Sequence, residues 1–404
     1  MALQAAVDSG TAYERKPPSY RAEITEVGRG TPMGELLRRY WHPVGLAQDA
    51  GSTPRPVRAL GEDLILFRDG EGQAGLVHSR CCHRGTTLYY GKVEDRGIRC
   101  CYHGWLFDRE GHCLEMPCEP EMGARMRERV RQPWYPVEEL YGLIFAYMGP
   151  PEKKPVLPRY TALEEFAEGE FLDTDDQSIG GGGEAVIPCN WLQHWENIVD
   201  PYHVPILHGT FSGTQFSKVM DTMPEHLSYR EVEYGLQMNT VRTLSDGRKL
   251  DRYTEMVFPT LRAVANPLHG QFDVPLESIG WVLPIDDTHF RIYTAGRVRS
   301  KGAFLPNMTG ENRANKRWFE LTPEQRREQP GDFEAQTGQG PITFHSEEHL
   351  VNSDKGVVMV RKQIYKQLQR MERGLDPMNV GFDPDQPPLR LRAGNWLGAT
   401  EAAA

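Results

Sequence analysis

The 404-residue chain has 46 basic and 56 acidic side chains, a formal charge of −10, with 39% hydrophobic and 25% charged residues. This is the make-up of an ordered protein with room for two or three cored domains, and the absence of any basic block or stripe argues against nucleic acid as a partner. The longest apolar run, Tyr141–Met148, is too short to span a bilayer and the first twenty residues lack a signal-like apolar stretch, so the expectation is no membrane association and a cytoplasmic location.

In chain order, Thr31 followed by Pro32 reads as a helix start, with Thr31 as N-cap and the helix running through Leu36-Leu37-Arg38-Arg39-Tyr40. From about residue 43 to 150 the pattern is short strands broken by glycine and charged turns. Residues 62–80 predict two strands around a Gly-rich turn, and residues 98–116 predict a hairpin with Arg109-Glu110-Gly111 at its tip. Pro150–Pro155 reads as a linker, and Gly180–Gly183 as a flexible loop. Beyond it come a helical stretch near 190–208, strands through 226–298 and a helix over 354–372. In that last helix Val357, Val360, Ile364, Leu368 and Met371 mark a buried face. The final thirty residues are Pro- and Gly-rich and predict a surface-wrapping tail. No internal repeat occurs.

Seven cysteines, four of them in the adjacent pairs Cys81-Cys82 and Cys100-Cys101, make a poor disulfide framework and a better metal-site pattern. The pattern is C-x-H, sixteen residues, then C-x2-H, formed by Cys81, His83, Cys100 and His103. Each half offers one thiolate and one imidazole at a strand-to-turn junction. Facing loop tips of this kind can give two Cys to one iron and two His to the other, the donor set of a Rieske 2Fe–2S centre. Structural zinc also takes two Cys and two His, but groups its cysteines and its histidines separately. Cys101-Tyr102-His103 is itself a C-x-H; the C-x2-H spacing favours Cys100, leaving Cys82 and Cys101 as non-ligands.

A second constellation follows in Asn197, Asp200, His203 and His208. Asp200 and His203 share a helical face, whereas His203 and His208 would point about 140° apart on an ideal helix. Pro205 lies between them and predicts the kink that would let both reach one metal. Two His and one carboxylate with open positions form the facial triad of non-haem Fe(II) oxygenases. Asp200 is one possible carboxylate. A distant one is preferred, Asp354, which opens the late helix; Glu347, Glu348 and Asp332 compete with it. His194, His345 and His349 are further candidate ligands.

These motifs, with the opening stretch Ile24–Gly45 and the segment Gly142–Pro151, resemble the α subunits of Rieske non-haem iron oxygenases over nearly the whole chain, most closely the phthalate-dioxygenase-like and aromatic O-demethylase branch. The resemblance implies an α+β chain: an N-terminal helical segment (1–42) packing on the catalytic domain, an all-β Rieske domain (43–150), and a helix-grip-like catalytic domain on an antiparallel sheet (151–404). It implies that Cys81, His83, Cys100 and His103 bind the cluster, that His203, His208 and Asp354 bind iron, that Asp200 bridges a cluster His to an iron-bound His, and that Asn197 lies near the iron. It further implies a homotrimer in which one subunit's cluster feeds its neighbour's iron. Electrons would come from an NAD(P)H-dependent flavin/iron–sulfur reductase, with or without a ferredoxin, for O₂-dependent dihydroxylation, monohydroxylation or O-demethylation of an aromatic compound in a catabolic role. Many relatives carry Pro where this chain has Cys82, and Cys101 is an additional thiol. The rival reading is a Rieske electron carrier fused to a non-catalytic binding module.

Overall fold

A computed structural model of the chain describes residues 12, 15–176, 184–212, 216–265, 272–300 and 320–398; the glycine run at 180–183 lies outside them. Thr31 caps the helix Pro32–Leu37, its side chain accepting the Gly34 N–H at 3.1 Å, and Met33, Leu36 and Leu37 are fully buried. The helix stops three residues before Tyr40 and gives way to the strand Trp41–Leu46.

The β-rich region consists of three small antiparallel sheets. One orders Arg55–Ala59, Glu62–Arg68, Ala74–His78 and Trp134–Tyr135; a second orders Lys92–Glu94, Gly97–Arg99, Leu106–Phe107 and Cys113–Glu115. The third joins Trp41–Leu46 and Val137–Leu140 through Leu143–Tyr147. The uninterrupted apolar run in Glu62–Arg68 has a physical reason, because the strand lies between two cores. Leu64 and Leu66 enter the large core shared with the rest of the chain, while Ile65 and Phe67 enter a small one with Val77, Ile98, Phe107 and Cys113. The expected 109–111 tip closes the hairpin of Leu106–Phe107 and Cys113–Glu115.

A larger antiparallel sheet carries the second half. Its strands run in the order Phe171–Asp175, His289–Val298, Ser278–Asp286, Leu261–Val264, Lys249–Val257, Gly235–Thr243, His226–Val232. The C-terminal segment does more than wrap the surface: Gly394–Leu397 pairs with Lys249–Val257, Leu397 opposite Leu250. The helix Lys355–Glu372 buries Val360, Ile364 and Leu368, each contributing roughly 1.5–3 kcal/mol. Arg361 on this helix is 4% exposed and grips Glu196 (2.5 and 2.8 Å) and Glu348 (2.5 and 2.7 Å), tying the helix to Trp191–Asn197.

Register shows which face of the sheet looks toward the helices. Tyr229 donates its hydroxyl to Val199 O at 2.7 Å, and Phe290 stacks on His194 with centroids 5.3 Å apart. Directly paired residues share a side, so Met238 (opposite Tyr229), Thr240 and Arg252, Met256 and Arg262, and Gly280 all lie on this face. Trp281 points the other way, onto Phe145 of the β-rich region and onto Tyr160.

Candidate metal centres

Two turns of the same build present the first constellation. In one, Gly85 N–H donates to Cys81 O (2.8 Å) and Cys81 N–H to Thr86 O (2.9 Å); in the other, Gly104 N–H donates to Cys100 O (3.1 Å) and Cys100 N–H to Trp105 O (2.9 Å). Gly85 and Gly104 have φ of 78° and 72°, a backbone state that a side chain would strain. The thiols of Cys81 and Cys100 are both buried and within hydrogen-bonding reach of each other; burial, then the second thiol, pushes Cys81 up to about 12. The imidazoles of His83 and His103 meet at 4.4 Å, and Trp105 stacks on His83 at 4.2 Å. Burial, the neighbouring His103 and Arg84 all hold His83 below its ordinary value.

Two thiols side by side and two imidazoles side by side, on twin turns, are the donor set a Rieske cluster requires. Cys82 and Cys101 are exposed. Sequence reasoning did not find Gln132, which is fully buried and pins the first turn. Its amide donates to His78 O and Arg80 O and accepts from Cys82 N–H. A lone glutamine fifty residues downstream gives no signal of this.

The second constellation follows the helix Trp191–Asn197, whose Asn190 cap accepts the Leu192 N–H. Instead of a simple kink at Pro205, the chain forms a π-helix over Val204–Phe211, with His203 immediately before it. In a π-helix the bonding runs between residues five apart, seen here in Ser212 N–H to Leu207 O at 2.7 Å. That winding brings His203 and His208 onto one side, with ring centroids 5.4 Å apart.

The carboxylate between them is Asp332, which corrects the expectation of Asp354. Asp332 Oδ1 lies 3.7 Å from His203 Nε2, and Oδ2 lies 3.3 Å from His208 Nε2. One ligand atom from each of these three residues falls within 4.8 Å of the others. Donors about 2.1 Å from one ion stand roughly 3.0–3.4 Å apart at octahedral to tetrahedral angles, so the spacing fits a metal after small adjustments.

Asp354 is occupied elsewhere: it stands at the N-cap position of Lys355–Glu372 without a side-chain bond to that helix, and its Oδ2 reaches back to accept the Val351 N–H at 2.7 Å. Glu347 pairs with Arg15, and Glu348 with Arg361. His345 Nδ1 takes the Arg21 N–H, and His349 is exposed.

Several contacts hold Asp332 in place. Gln193 donates to Gln336 O (2.8 Å) and Gly340 O (3.1 Å), and Ser212 donates to Pro330 O at 2.5 Å. Asn197 Nδ2 stands 3.3 Å from Asp332 Oδ1 and 3.4 Å from His203 Nε2. Burial alone would raise the Asp332 carboxyl, but His208, His203 and His194 drive it well below the usual carboxylate range.

Burial likewise opposes the shift of His203, which Asp200 and Asp332 nevertheless raise. Asp200 is lowered by His203 and two backbone N–H groups against the pull of burial. The buried His203 Nδ1 lacks a hydrogen bond, with Asp200 Oδ2 3.7 Å away, so the ring turns Nδ1 toward Asp200 and Nε2 toward the site. His194 hydrogen-bonds Gln336 through Nδ1 at 3.1 Å, and burial then Arg262 lower it to about 3, which keeps it neutral.

The Rieske [2Fe-2S] domain family matches residues 40–136. The α subunit of phenoxybenzoate dioxygenase from Ectopseudomonas oleovorans is 47% identical over 407 residues, covering 98% of this chain and 97% of that protein. The oxygenase subunit of tert-butanol monooxygenase / tert-amyl alcohol desaturase from Aquincola tertiaricarbonis is 35% identical over 431 residues, covering 98% and 85%. Among solved structures, a QL mutant of NdmA from Pseudomonas putida CBB5 with caffeine aligns with a TM-score of 0.61 at 18% identity, covering 88% of this chain and 99% of that one, which supports the fold. A likeness running through both halves leaves no room for an electron carrier with an unrelated binding module. The chain therefore belongs to the Rieske non-haem iron oxygenases and is the oxygenase-component α subunit of a multicomponent system, an O₂-incorporating oxidoreductase that uses a Rieske 2Fe–2S cluster and a mononuclear iron.

Proposed function

We propose that Cys81, Cys100, His83 and His103 hold the cluster, that His203, His208 and Asp332 hold the iron, and that the reaction is oxygenation of an aromatic substrate in a catabolic role. The single observation that carries the iron assignment is the convergence of two imidazole Nε2 atoms and one carboxylate, from segments 124 to 129 residues apart, on one deep site. When bound, the ferrous ion supplies O₂ binding and activation, with electrons arriving through the cluster.

The chain's own residues prepare the place. The π-helix sets the two imidazoles, Asn197 and Gln193 fix Asp332 directly and through its helix, and Asp200 orients His203 from behind. Asp200 also keeps accessible surface and makes no hydrogen bond to His83 or His103 among the described residues. That supports a bridge to a neighbouring subunit's cluster, and with it a homotrimeric ring. The chain divides into an N-terminal segment to residue 42, a cluster domain to 150 and a catalytic domain beyond. An NAD(P)H-dependent reductase, with or without a ferredoxin, delivers the electrons. No helix among the described residues is long and apolar enough to cross a membrane, and seven unpaired cysteines support a reducing, cytoplasmic setting.

The name of the phenoxybenzoate relative supports an aromatic substrate, here a substituted aromatic acid or methoxy-aromatic. Iron analysis with EPR on the purified protein tests the reading. About three irons per chain and a reduced Rieske signal are expected; two irons with no further site would refute it.

A further inference from the structure

The sheet face that looks toward the metal-site helices carries three arginines, Arg242, Arg252 and Arg262, on three neighbouring strands. Two of them are already committed. Arg242 donates to Thr222 O (3.0 Å) and Thr240 Oγ1 (2.9 Å), and Arg252 donates to Asn395 Oδ1 (2.8 Å) and Ala265 O (2.6 Å).

Arg262 differs. It makes no hydrogen bond and no ion pair among the described residues, yet it lies deep enough that burial lowers it to about 10. It also retains accessible surface, unlike Leu261 and Ala263 on either side of it. A guanidinium deep in the fold that still keeps accessible surface faces a cavity, and its donors are unspent. Gly280 makes the room: a Cβ there would stand 2.8 Å from Arg262 Nε.

Arg262 lies within electrostatic reach of the proposed iron site. Asp332 is the charge that most offsets Arg262, and Arg262 in turn acts on His194. Asp332 is engaged with two imidazoles and, in the loaded protein, with the metal, so it cannot also neutralise Arg262. An unpaired cation out of water is costly, and the cost is met when its counter-ion arrives with a ligand. The planar guanidinium fork matches a carboxylate, and Phe216, packed on His208 at 4.4 Å, offers an apolar surface beside the same site.

We propose that Arg262 receives the carboxylate of an aromatic acid and so selects anionic over neutral substrates at this site. The inference rests on the oxygenase reading above and adds to it, since the relatives include one named for a neutral alcohol.

The test is anaerobic calorimetric titration of the cluster- and iron-loaded protein with phenoxybenzoate and with its neutral amide, phenoxybenzamide. The wild type should bind the acid about 30-fold or more tighter than the amide. Arg262→Gln should abolish that preference by weakening the acid alone, and Arg262→Lys should keep part of it. Gly280→Ala, which crowds the guanidinium without removing its charge, should also weaken the acid. Acid preference retained in Arg262→Gln with its full iron content, or absent from the wild type, overturns the proposal; if Arg262→Gln does not fold, an unchanged preference in Gly280→Ala does so. Oxygen uptake is read separately. No uptake with any aromatic acid, alongside Arg262-dependent binding, would sink the oxygenation reading and leave the anion site standing.

Discussion

Replacing Asp332 with Asn, beside Asp354→Asn, separates the carboxylate found between the histidines from the one that sequence reasoning favours. Asp332 presents its two oxygens 3.3 and 3.7 Å from two imidazole nitrogens in a site that is mostly out of water. At about 4 Å and an effective dielectric near 20, one unit of charge on a carboxylate is worth about 4 kcal/mol to a unit positive charge, and more to a divalent ion. A neutral amide forfeits that, at least about a thousandfold in iron affinity. Asp354 accepts a single bond, from Val351 N–H, which an amide oxygen can still accept, so its amide variant loses at most about 1 kcal/mol of stability and no metal. The assay is iron content per chain after dialysis against a ferrous chelator, with the cluster absorbance as internal standard and oxygen uptake alongside. Asp332→Asn should keep the cluster, lose the third iron and stop oxygen uptake; Asp354→Asn should keep all three, with a midpoint lowered by a few degrees at most. An Asp332→Asn protein that retains its third iron, or an Asp354→Asn protein that loses it, would refute the reasoning.

Asp200→Asn should leave both metal contents intact and slow single-turnover oxidation of the reduced cluster about tenfold or more, measured by stopped flow; an unchanged rate removes Asp200 from the electron path. Arg361→Met strands Glu196 and Glu348 together, at about 3–5 kcal/mol in denaturant unfolding, and adding Glu348→Gln should restore part of the loss. His42 is fully buried, and burial lowers it to about 4 although its Nε2 meets Leu37 O at 2.8 Å. Its neutral form is the one that folds, so its contribution is whole above about pH 6.5 and falls by about 3 kcal/mol as pH drops to 4. His42→Phe, weaker at neutral pH, should show a flatter acid limb in thermal melts.

What the sequence made legible follows the range of the interactions. The two turns proposed to hold the cluster are local: each proposed ligand lies within four residues of the glycine whose positive φ shapes the turn, so residue types and spacing carry the geometry. The helix start at Thr31-Pro32 and the apolar face of Lys355–Glu372 are local in the same sense. The need for a distortion between His203 and His208 was readable from their spacing and Pro205. Its form was not, because a π-helix depends on how the segment packs, here on Ser212 reaching Pro330.

The carboxylate proposed as the third iron ligand lay beyond local reading altogether. Asp332 and Asp354 both open helices and both carry the right functional group, so neither type nor spacing tells them apart. The difference is made by Gln193, Asn197 and Ser212, whose bonds carry the Asp332 helix to the histidines across more than a hundred residues of chain. Nothing comparable among the described residues draws Asp354 inward; its carboxylate is spent on its own turn. The same reasoning explains why Arg262 carries no mark in the sequence. A guanidinium is structural or receptive according to whether oxygens within reach have already taken its donors, as Asn395 and Ala265 have for Arg252, and that is settled only once the strands are in register.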